Sequence, residues 1–285
     1  MVRIRSSIVL FSCAAILFAL CSAEFLSAQV SGHERTGVER TDPIELSAGF
    51  ELDISRSDSG EAEGLLLDGD ASLELLYARS WHFSADIPGS ALLSLGLQPR
   101  PRLIDAIGDP QLGLGYTWRA GDWRLGGELF YVYPLGVYDD YEAETRGGIY
   151  SGSGYHRPGL AFSATRYLDP LVIGVRLKAA IGLGRLEYTG SSWKPLLSSL
   201  RLSLVEALNA KAAIEADLDP GLNSPTIRNG IPAAAGWMYS FVGSAFFVLS
   251  GEALSFRAGL SKSLSDPAAP ASLILSTSYS FWRKK

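Results

Sequence analysis

His82, Ser84 and Asp86 are the residues of this sequence whose types together could do covalent chemistry. A histidine that takes the proton of a serine hydroxyl, and is itself oriented by an aspartate, serves acyl transfer. Residues two apart on a β-strand point to the same face and stand side by side, so the hydroxyl and the imidazole rarely align for proton transfer. The spacing therefore predicts one polar wall and no catalytic residue. A lipid-modifying enzyme that uses His82 remains an alternative.

Metal and cofactor chemistry have little support in the residue pattern. The chain has three histidines, His33, His82 and His156, and none has a second histidine or a cysteine two to four positions away. Such a partner is the usual sequence signature of a metal site. The only cysteines are Cys13 and Cys21. We predict no metal site and no cofactor.

Charged side chains recur at alternate positions of otherwise apolar segments, where they share one face. Buried charges need partners, so this face is either a packed, salt-bridged interior or a charged wall whose field selects or orients a solute. The pattern leaves both interpretations open. The side chains predicted to line the interior are Glu45, Glu51, Asp53, Glu74, His82, Asp86, Arg124, Glu128, Arg176, Lys178, Arg201, Lys211, Glu215 and Arg257.

The elements that carry these residues are β-strands with one apolar and one polar face. In the clearest case Leu112, Leu114, Tyr116 and Trp118 alternate with polar residues or glycine. A helix would spread the charges around its circumference, whereas a strand with lipid on one side and a polar lumen on the other keeps them together. The predicted strands are 44–54, 70–79, 82–88, 110–119, 122–134, 157–167, 170–183, 198–207, 209–218, 236–249, 252–264 and 271–282.

The connections between these strands alternate between short and long, as in outer-membrane barrels. Short joins fall near 80–81, 120–121, 168–169, 208 and 250–251, and long ones cover 55–69, 89–109, 135–156, 184–197 and 219–235. Within the long segment 89–109, the apolar residues 91–97 either form a ligand site at the barrel mouth or extend the neighbouring strand, which we favour.

Aromatic residues gather at both predicted ends of the strands, as amphipathic rings do at the two membrane interfaces. We therefore predict an all-β fold, a transmembrane antiparallel up-and-down β-barrel of about 12 strands over residues 44–285. A secreted β-sandwich, the soluble alternative, would not need two aromatic bands. The bands comprise Trp81, Trp118, Trp123, Tyr167 and Trp282 at the short-turn end, and Tyr131, Tyr133, Trp237 and Tyr239 at the other.

The N-terminal segment has the features of an export signal. Arg3 and Arg5 precede an apolar stretch over 8–23, and small residues follow. This stretch is shorter than the roughly 20 apolar residues of a transmembrane helix, so we predict a cleaved signal peptide over 1–28 and a short periplasmic segment over 29–43. A retained anchor and a lipoprotein modified at Cys21 are the alternatives. A mature chain cut after residue 28 would contain no cysteine.

The segment Gly108-Asp109-Pro110-Gln111-Leu112-Gly113-Leu114-Gly115-Tyr116 resembles a strand opening, Gly-Asp-x-x-Leu-Gly-x-x-Tyr, of one outer-membrane family. That family is named for the meta-pathway of phenol degradation and is related to the long-chain fatty-acid (FadL-like) transporters. The hairpin from Leu75 to Pro88 is similar to its early strand pair, with Ala78 where glycine is usual. The resemblance implies a barrel and a route for apolar small molecules, without a catalytic residue.

These observations predict a passive channel or transporter for small molecules, including hydrophobic ones, in the outer membrane of a diderm bacterium. The expected partners are outer-membrane lipid, the outer-membrane insertion machinery and a small solute. Nucleic acid is not expected, because 25 Lys and Arg against 30 Asp and Glu give a net charge of −5 without a basic patch. A non-conducting structural or surface-binding barrel is the second hypothesis. Residues 29–43 are too few to be the passenger of an autotransporter.

Overall fold

A computed structural model describes residues 45–59, 62–77, 80–94, 102–136, 152–184, 192–228, 231–232, 236–251 and 253–283. The predicted signal peptide and periplasmic segment lie outside the described residues. The strands are β1 (Glu45–Ser59), β2 (Ala62–Tyr77), β3 (Trp81–Ser94), β4 (Arg102–Ile107), β5 (Gln111–Ala120), β6 (Trp123–Val132), β7 (Tyr155–Leu168), β8 (Leu171–Gly184), β9 (Ser192–Asn209), β10 (Ala212–Asn223), β11 (Ile227–Arg228), β12 (Ile231–Pro232), β13 (Met238–Ser250), β14 (Leu254–Ser263) and β15 (Ser272–Arg283).

The strands close into one antiparallel barrel. Each long strand pairs with the next along the chain, β1 pairs with β15, and β10 pairs with both β9 and β13. β4 and β5 follow one another along the chain and both pair with β3, so we count them as one interrupted strand of the barrel. β11 and β12 form a small hairpin beside β9. Counted in this way, the barrel has twelve strands, which confirms the predicted fold class.

Large apolar side chains cover the outside of the cylinder. Leu112 is 63% exposed, Leu129 60% and Phe162 57%, whereas Glu128 on the inner face is only 8% exposed. This distribution is the reverse of that in a soluble domain and is typical of a barrel whose outer face contacts lipid. Among the described residues, no helix is long and apolar enough to span a membrane.

Exposed aromatic rings mark the short-turn end of the barrel. Trp81 packs edge-on against Tyr116 with ring centroids 5.0 Å apart, and Tyr116 stacks on Trp118 at 6.3 Å. Tyr131 and Tyr133 are exposed toward the opposite end. The side chain of Trp282 lies outside the described residues. The two aromatic bands agree with a lipid-facing belt between two interfaces.

Parts of two predicted long connections are strand, and at 91–94 this is the extension of the neighbouring strand that we favoured. Residues 55–59 and 62–69 belong to β1 and β2, and 91–94 extend β3, which pairs with β4 over 102–107. The strands also begin earlier than predicted at Ser192 and end later at Asn223. Strict alternation is required only where one face contacts lipid, so extensions beyond that band give no period-two signal, whether they are polar as in 55–59 or continuously apolar as in 65–67 and 91–93.

Candidate functional site

Within the part of the chain that the structure describes, two cavities of about 520 Å³ each lie in the lumen. The turn-side cavity is lined by the predicted residues Glu74, His82, Arg124, Glu128 and Arg176, among others, and the loop-side cavity by residues near the long connections. Asp86 and Lys178 line both cavities, so the two meet at these side chains. The boundary between the two cavities lies at this level of the barrel. The strand plan thus places one acid and one base where a solute would pass between the two halves.

Glu128 is the centre of a buried polar contact on the inner wall. Arg176 donates a hydrogen bond from Nη2 to Glu128 Oε2, and Ser84 donates from Oγ to Glu128 Oε1 over 3.2 Å. A Cβ at Gly113 would lie 2.3 Å from both Glu128 Oε1 and Ser84 Oγ. Glycine on β5 therefore makes the room in which the carboxylate lies across the sheet.

Arg257 joins three strands on the other side of the lumen. Its guanidinium contacts Asp217 at 2.8 Å, Glu215 at 3.0 Å and Glu51 at 3.5 Å, and lies 3.3 Å above the ring of Phe246. The side chain of Arg257 is 19% exposed and that of Asp217 is 2% exposed. One guanidinium group therefore contacts three carboxylates at a partly buried site, where an unpaired charge would be destabilising.

Among the described residues, the other predicted residues form no hydrogen bond or ion pair with these two networks. Arg201 pairs with Asp219 at 2.8 Å, and its side chain is 56% exposed. Asp53 lies opposite Asp68 in the β1–β2 register. Glu45 is the first residue of β1, and its side chain is outside the described residues. Lys211 lies exposed in the turn between β9 and β10 rather than on a strand, because Asn209 caps this turn through hydrogen bonds from the amides of Lys211 and Ala212.

One face of β3 carries His82, Ser84 and Asp86, as the spacing predicts. Each of these side chains contacts a different neighbouring residue. The imidazole of His82 lies over Gly115, where an added Cβ would be 2.0 Å from its ring. Ser84 bonds Glu128, and Asp86 accepts a hydrogen bond of 3.3 Å from Gln111 Nε2. Within the described residues, no hydrogen bond joins the three side chains to one another. The arrangement lacks the aligned proton-transfer path that a nucleophilic serine needs.

Asp109, from the glycine-rich segment before β5, ties together the two ends of the β6–β7 connection. Its Oδ1 accepts from the amide of Gly136 at 2.9 Å, and its Oδ2 accepts from both the amide and the hydroxyl of Ser153 at 2.7 Å. Arg157 lies 3.6 Å away. Asp109 is 5% exposed, so these donors replace the water that a carboxylate needs.

We predict that Asp109→Ala releases the base of the β6–β7 connection while the barrel remains folded. Three hydrogen bonds to a buried carboxylate are lost, whereas the strand pairing is unchanged. Limited proteolysis of the folded protein should cut between residues 136 and 152 severalfold faster. Asp266→Ala is the matched control, because the carboxylate of Asp266 accepts a hydrogen bond from the amide of Ala268 within its own turn. Equal cleavage of both variants would contradict the role given to Asp109.

An apolar patch on the lumen wall was not predicted from the sequence. Phe130, Val132, Ala161 and Ala180 form a buried cluster against which Leu197 packs. Phe130 and Val132 follow Glu128 at two-residue steps and so share its inward face. Their two-residue spacing from Glu128 is the sequence feature that could have placed them on the lumen wall. The patch adjoins charge directly, since Lys178 Nζ lies 5.7 Å from the centroid of the Phe130 ring.

Across the described part of the chain, no cluster of three or more histidine, cysteine, aspartate or glutamate residues could hold a metal ion. The chemistry available to the lumen is therefore that of fixed charges, hydroxyl and amide groups, and one apolar patch. Such groups can bind and orient a solute without a covalent step.

The fold is similar to that of solved outer-membrane barrels. An outer membrane channel from Pseudomonas putida F1 matches with a TM-score of 0.65 at 12% identity, over 87% of this chain and 100% of that one. The NanC porin matches with a TM-score of 0.50 at 8% identity, over 83% and 98%. The Pseudomonas putida toluene transporter TodX matches at 0.44 and 14% identity, over 85% and 90%.

No family model matches the chain, and no curated protein matches it by sequence. At 12% and 8% identity the likeness extends to the fold alone. It confirms the antiparallel outer-membrane barrel, which is also the fold implied by the resemblance of the segment around Asp109.

Proposed function

We propose that this chain is a passive, non-enzymatic channel for small molecules in the outer membrane of a diderm bacterium. The observation that carries the proposal is the pair of lumen cavities, each of about 520 Å³, that share Asp86 and Lys178. Together they give a polar path along the barrel, whereas a barrel of about eight strands fills its interior with side chains. The Pseudomonas putida F1 neighbour, which is an outer membrane channel, supports the same function.

The lumen wall favours solutes that carry both polar and apolar groups. The lumen wall carries ion pairs at Glu128 and at Arg257, and it also carries the apolar patch around Phe130. A solute with apolar parts can lie on this patch while its polar groups meet the charged residues. Outer-membrane lipid surrounds the barrel in this proposal, and the insertion machinery of the outer membrane is the partner that assembles it.

The test is the conductance of the refolded chain, residues 29–285, in planar lipid bilayers. This chain contains no cysteine, so Ser199→Cys places a single thiol in the loop-side cavity. A negatively charged methanethiosulfonate reagent should then reduce the single-channel conductance severalfold, because the added group lies in the path. Asp122→Cys, in the exposed β5–β6 turn, is the matched control and should be unaffected.

Two results would count against the channel. Folded protein that inserts and gives no conductance steps would favour the non-conducting structural or surface-binding barrel. Conductance that responds equally to modification at positions 199 and 122 would mean that current does not pass through the lumen described here. A heat-shifted band on a gel, shown by the folded barrel and lost on boiling, verifies that the tested protein is folded.

A further inference from the structure

Among the described residues that line it, the loop-side cavity has as many free acids as free bases. Its charged lining residues are Asp70, Asp86 and Asp109 on the acidic side, and Arg157, Lys178 and Lys194 on the basic side. Asp109 and Arg157 pair with each other at 3.6 Å, which removes one charge of each sign. Two carboxylates and two ammonium groups remain. A cavity with this balance favours neither a simple anion nor a simple cation.

The remaining acids and bases stand on different walls. Asp70 lies on β2 and Lys194 lies on β9. These strands are six pairings apart in a barrel of twelve strands, so the two residues lie on opposite sides of the lumen. Asp86 on β3 and Lys178 on β8 are four pairings apart. The cavity thus has a negative wall and a positive wall with a field directed across it.

Both lysines lie near aromatic rings. Lys178 Nζ is 5.7 Å from the centroid of Phe130, and Lys194 Nζ is 5.1 Å from that of Tyr155. Among the described residues, neither lysine has a carboxylate within salt-bridge distance. Opposite them, Asp70 lines the same cavity. The two lysines therefore keep hydrogen-bond donors that a solute can use.

The apolar patch lies between the two walls. Phe130 and Val132 are on β6, which stands between β3 and β8 in the barrel order, and Ala180 and Leu197 continue the patch along the positive wall. All four line the loop-side cavity. A bound molecule can therefore contact a carboxylate, an ammonium group and an apolar surface at once.

We infer that the loop-side cavity binds small zwitterions with an apolar side chain, of the class of aromatic and branched α-amino acids. The solute ammonium group meets Asp70 and Asp86, its carboxylate meets Lys178 and Lys194, and its side chain lies on the Phe130 patch. A neutral hydrocarbon would displace water from four charges without replacing its hydrogen bonds. The inference rests on the proposed channel function and names the solute class of that channel.

The test compares three compounds that share a phenylalkyl group and differ in charge: L-phenylalanine, 3-phenylpropanoate and phenethylamine. Each is added to the refolded channel in a planar bilayer, and the concentration that blocks half of the ionic current is measured. L-Phenylalanine should block at the lowest concentration. Lys178→Met should raise its half-blocking concentration about tenfold, because a charge-assisted contact is lost, and should leave phenethylamine almost unchanged. Asp86→Asn should have the mirror effect, sparing 3-phenylpropanoate.

Lys211→Met is the matched control, since it removes a lysine from an exposed turn that lines neither cavity. The double exchange of Asp86→Lys with Lys178→Asp should recover part of the preference for L-phenylalanine, because a reversed field still fits a dipolar solute. A conducting channel that all three compounds block equally would overturn this inference and leave the channel function standing. Should the barrel not conduct, the channel function fails, and calorimetric titration of the detergent-solubilised barrel with the same compounds decides the binding site separately.

Discussion

Replacing Arg257 with methionine is expected to lower the free energy of unfolding of the barrel by about 3 kcal/mol, as when one partner of a buried ion pair is removed. Methionine keeps an unbranched stem and removes the guanidinium, together with the contact of this group with the Phe246 ring. Glu215, Asp217 and Glu51 then lose the cation that they share at 3.0, 2.8 and 3.5 Å. Asp217 is the most affected of the three, because its side chain is 2% exposed and water replaces the lost contact poorly.

The measurement is reversible unfolding in urea or guanidinium, followed by tryptophan fluorescence, with the refolded barrel in phospholipid vesicles. Arg201→Met is the matched control, since its pair with Asp219 has an arginine side chain that is 56% exposed. An exposed pair contributes about 1 kcal/mol or less, so this variant should stay close to the parent. Adding Asp217→Asn to Arg257→Met should restore part of the stability, because one uncompensated carboxylate is then gone. Equal losses in the two arginine variants would contradict a special role for Arg257.

The period-two pattern predicted the barrel because lipid contact imposes it directly on the sequence. Between Gln111 and Ala120 every second side chain must be apolar, and the strand is found there as predicted. Beyond the lipid belt this requirement ends. The polar extension of β1 to Ser59 therefore looked like loop, although its backbone is paired with β2 along its whole length.

The partners inside the lumen could not be predicted in the same way. Arg257 contacts Glu51 across 206 residues of sequence and Glu215 across 42, and only the closure of the barrel brings them together. Alternation says which face a charge occupies, but it does not say which opposite charge it meets. The closeness of Glu128 to Arg176, on strands two pairings apart, likewise depends on side chains that reach across β7.

The glycines of β5 show how a sequence motif can be recognised before its physical reason is known. Gly113 and Gly115 looked like small residues on a polar face. The structure shows that each leaves room for a side chain from a neighbouring strand, Glu128 in one case and His82 in the other. The same segment supplies Asp109, whose hydrogen bonds to Gly136 and Ser153 depend on the return of the chain at β7.

An arginine in place of Phe162 is expected to lower the free energy of unfolding in vesicles by about 2 to 4 kcal/mol, as a cation near the middle of the lipid-facing belt does. Phe162 is 57% exposed on the outer face. It lies opposite Gly127 of β6, between Trp123 near the short turn and Tyr131 near the other end. A guanidinium at this depth has no water, and it must bend toward an interface or thin the bilayer locally.

Two variants separate the cost of charge from other effects. Phe162→Leu removes the ring without adding charge and should cost about 1 kcal/mol or less, because volume on a fluid lipid face is weakly constrained. Ser47→Arg adds the same charge on the lumen face, where Ser47 lines the turn-side cavity in register with Glu74 and water and a carboxylate receive the charge. It should leave the unfolding free energy nearly unchanged. If Ser47→Arg destabilised the barrel as much as Phe162→Arg, lipid would not be the cause, and the assignment of an apolar outer face and a wet inner face would be wrong.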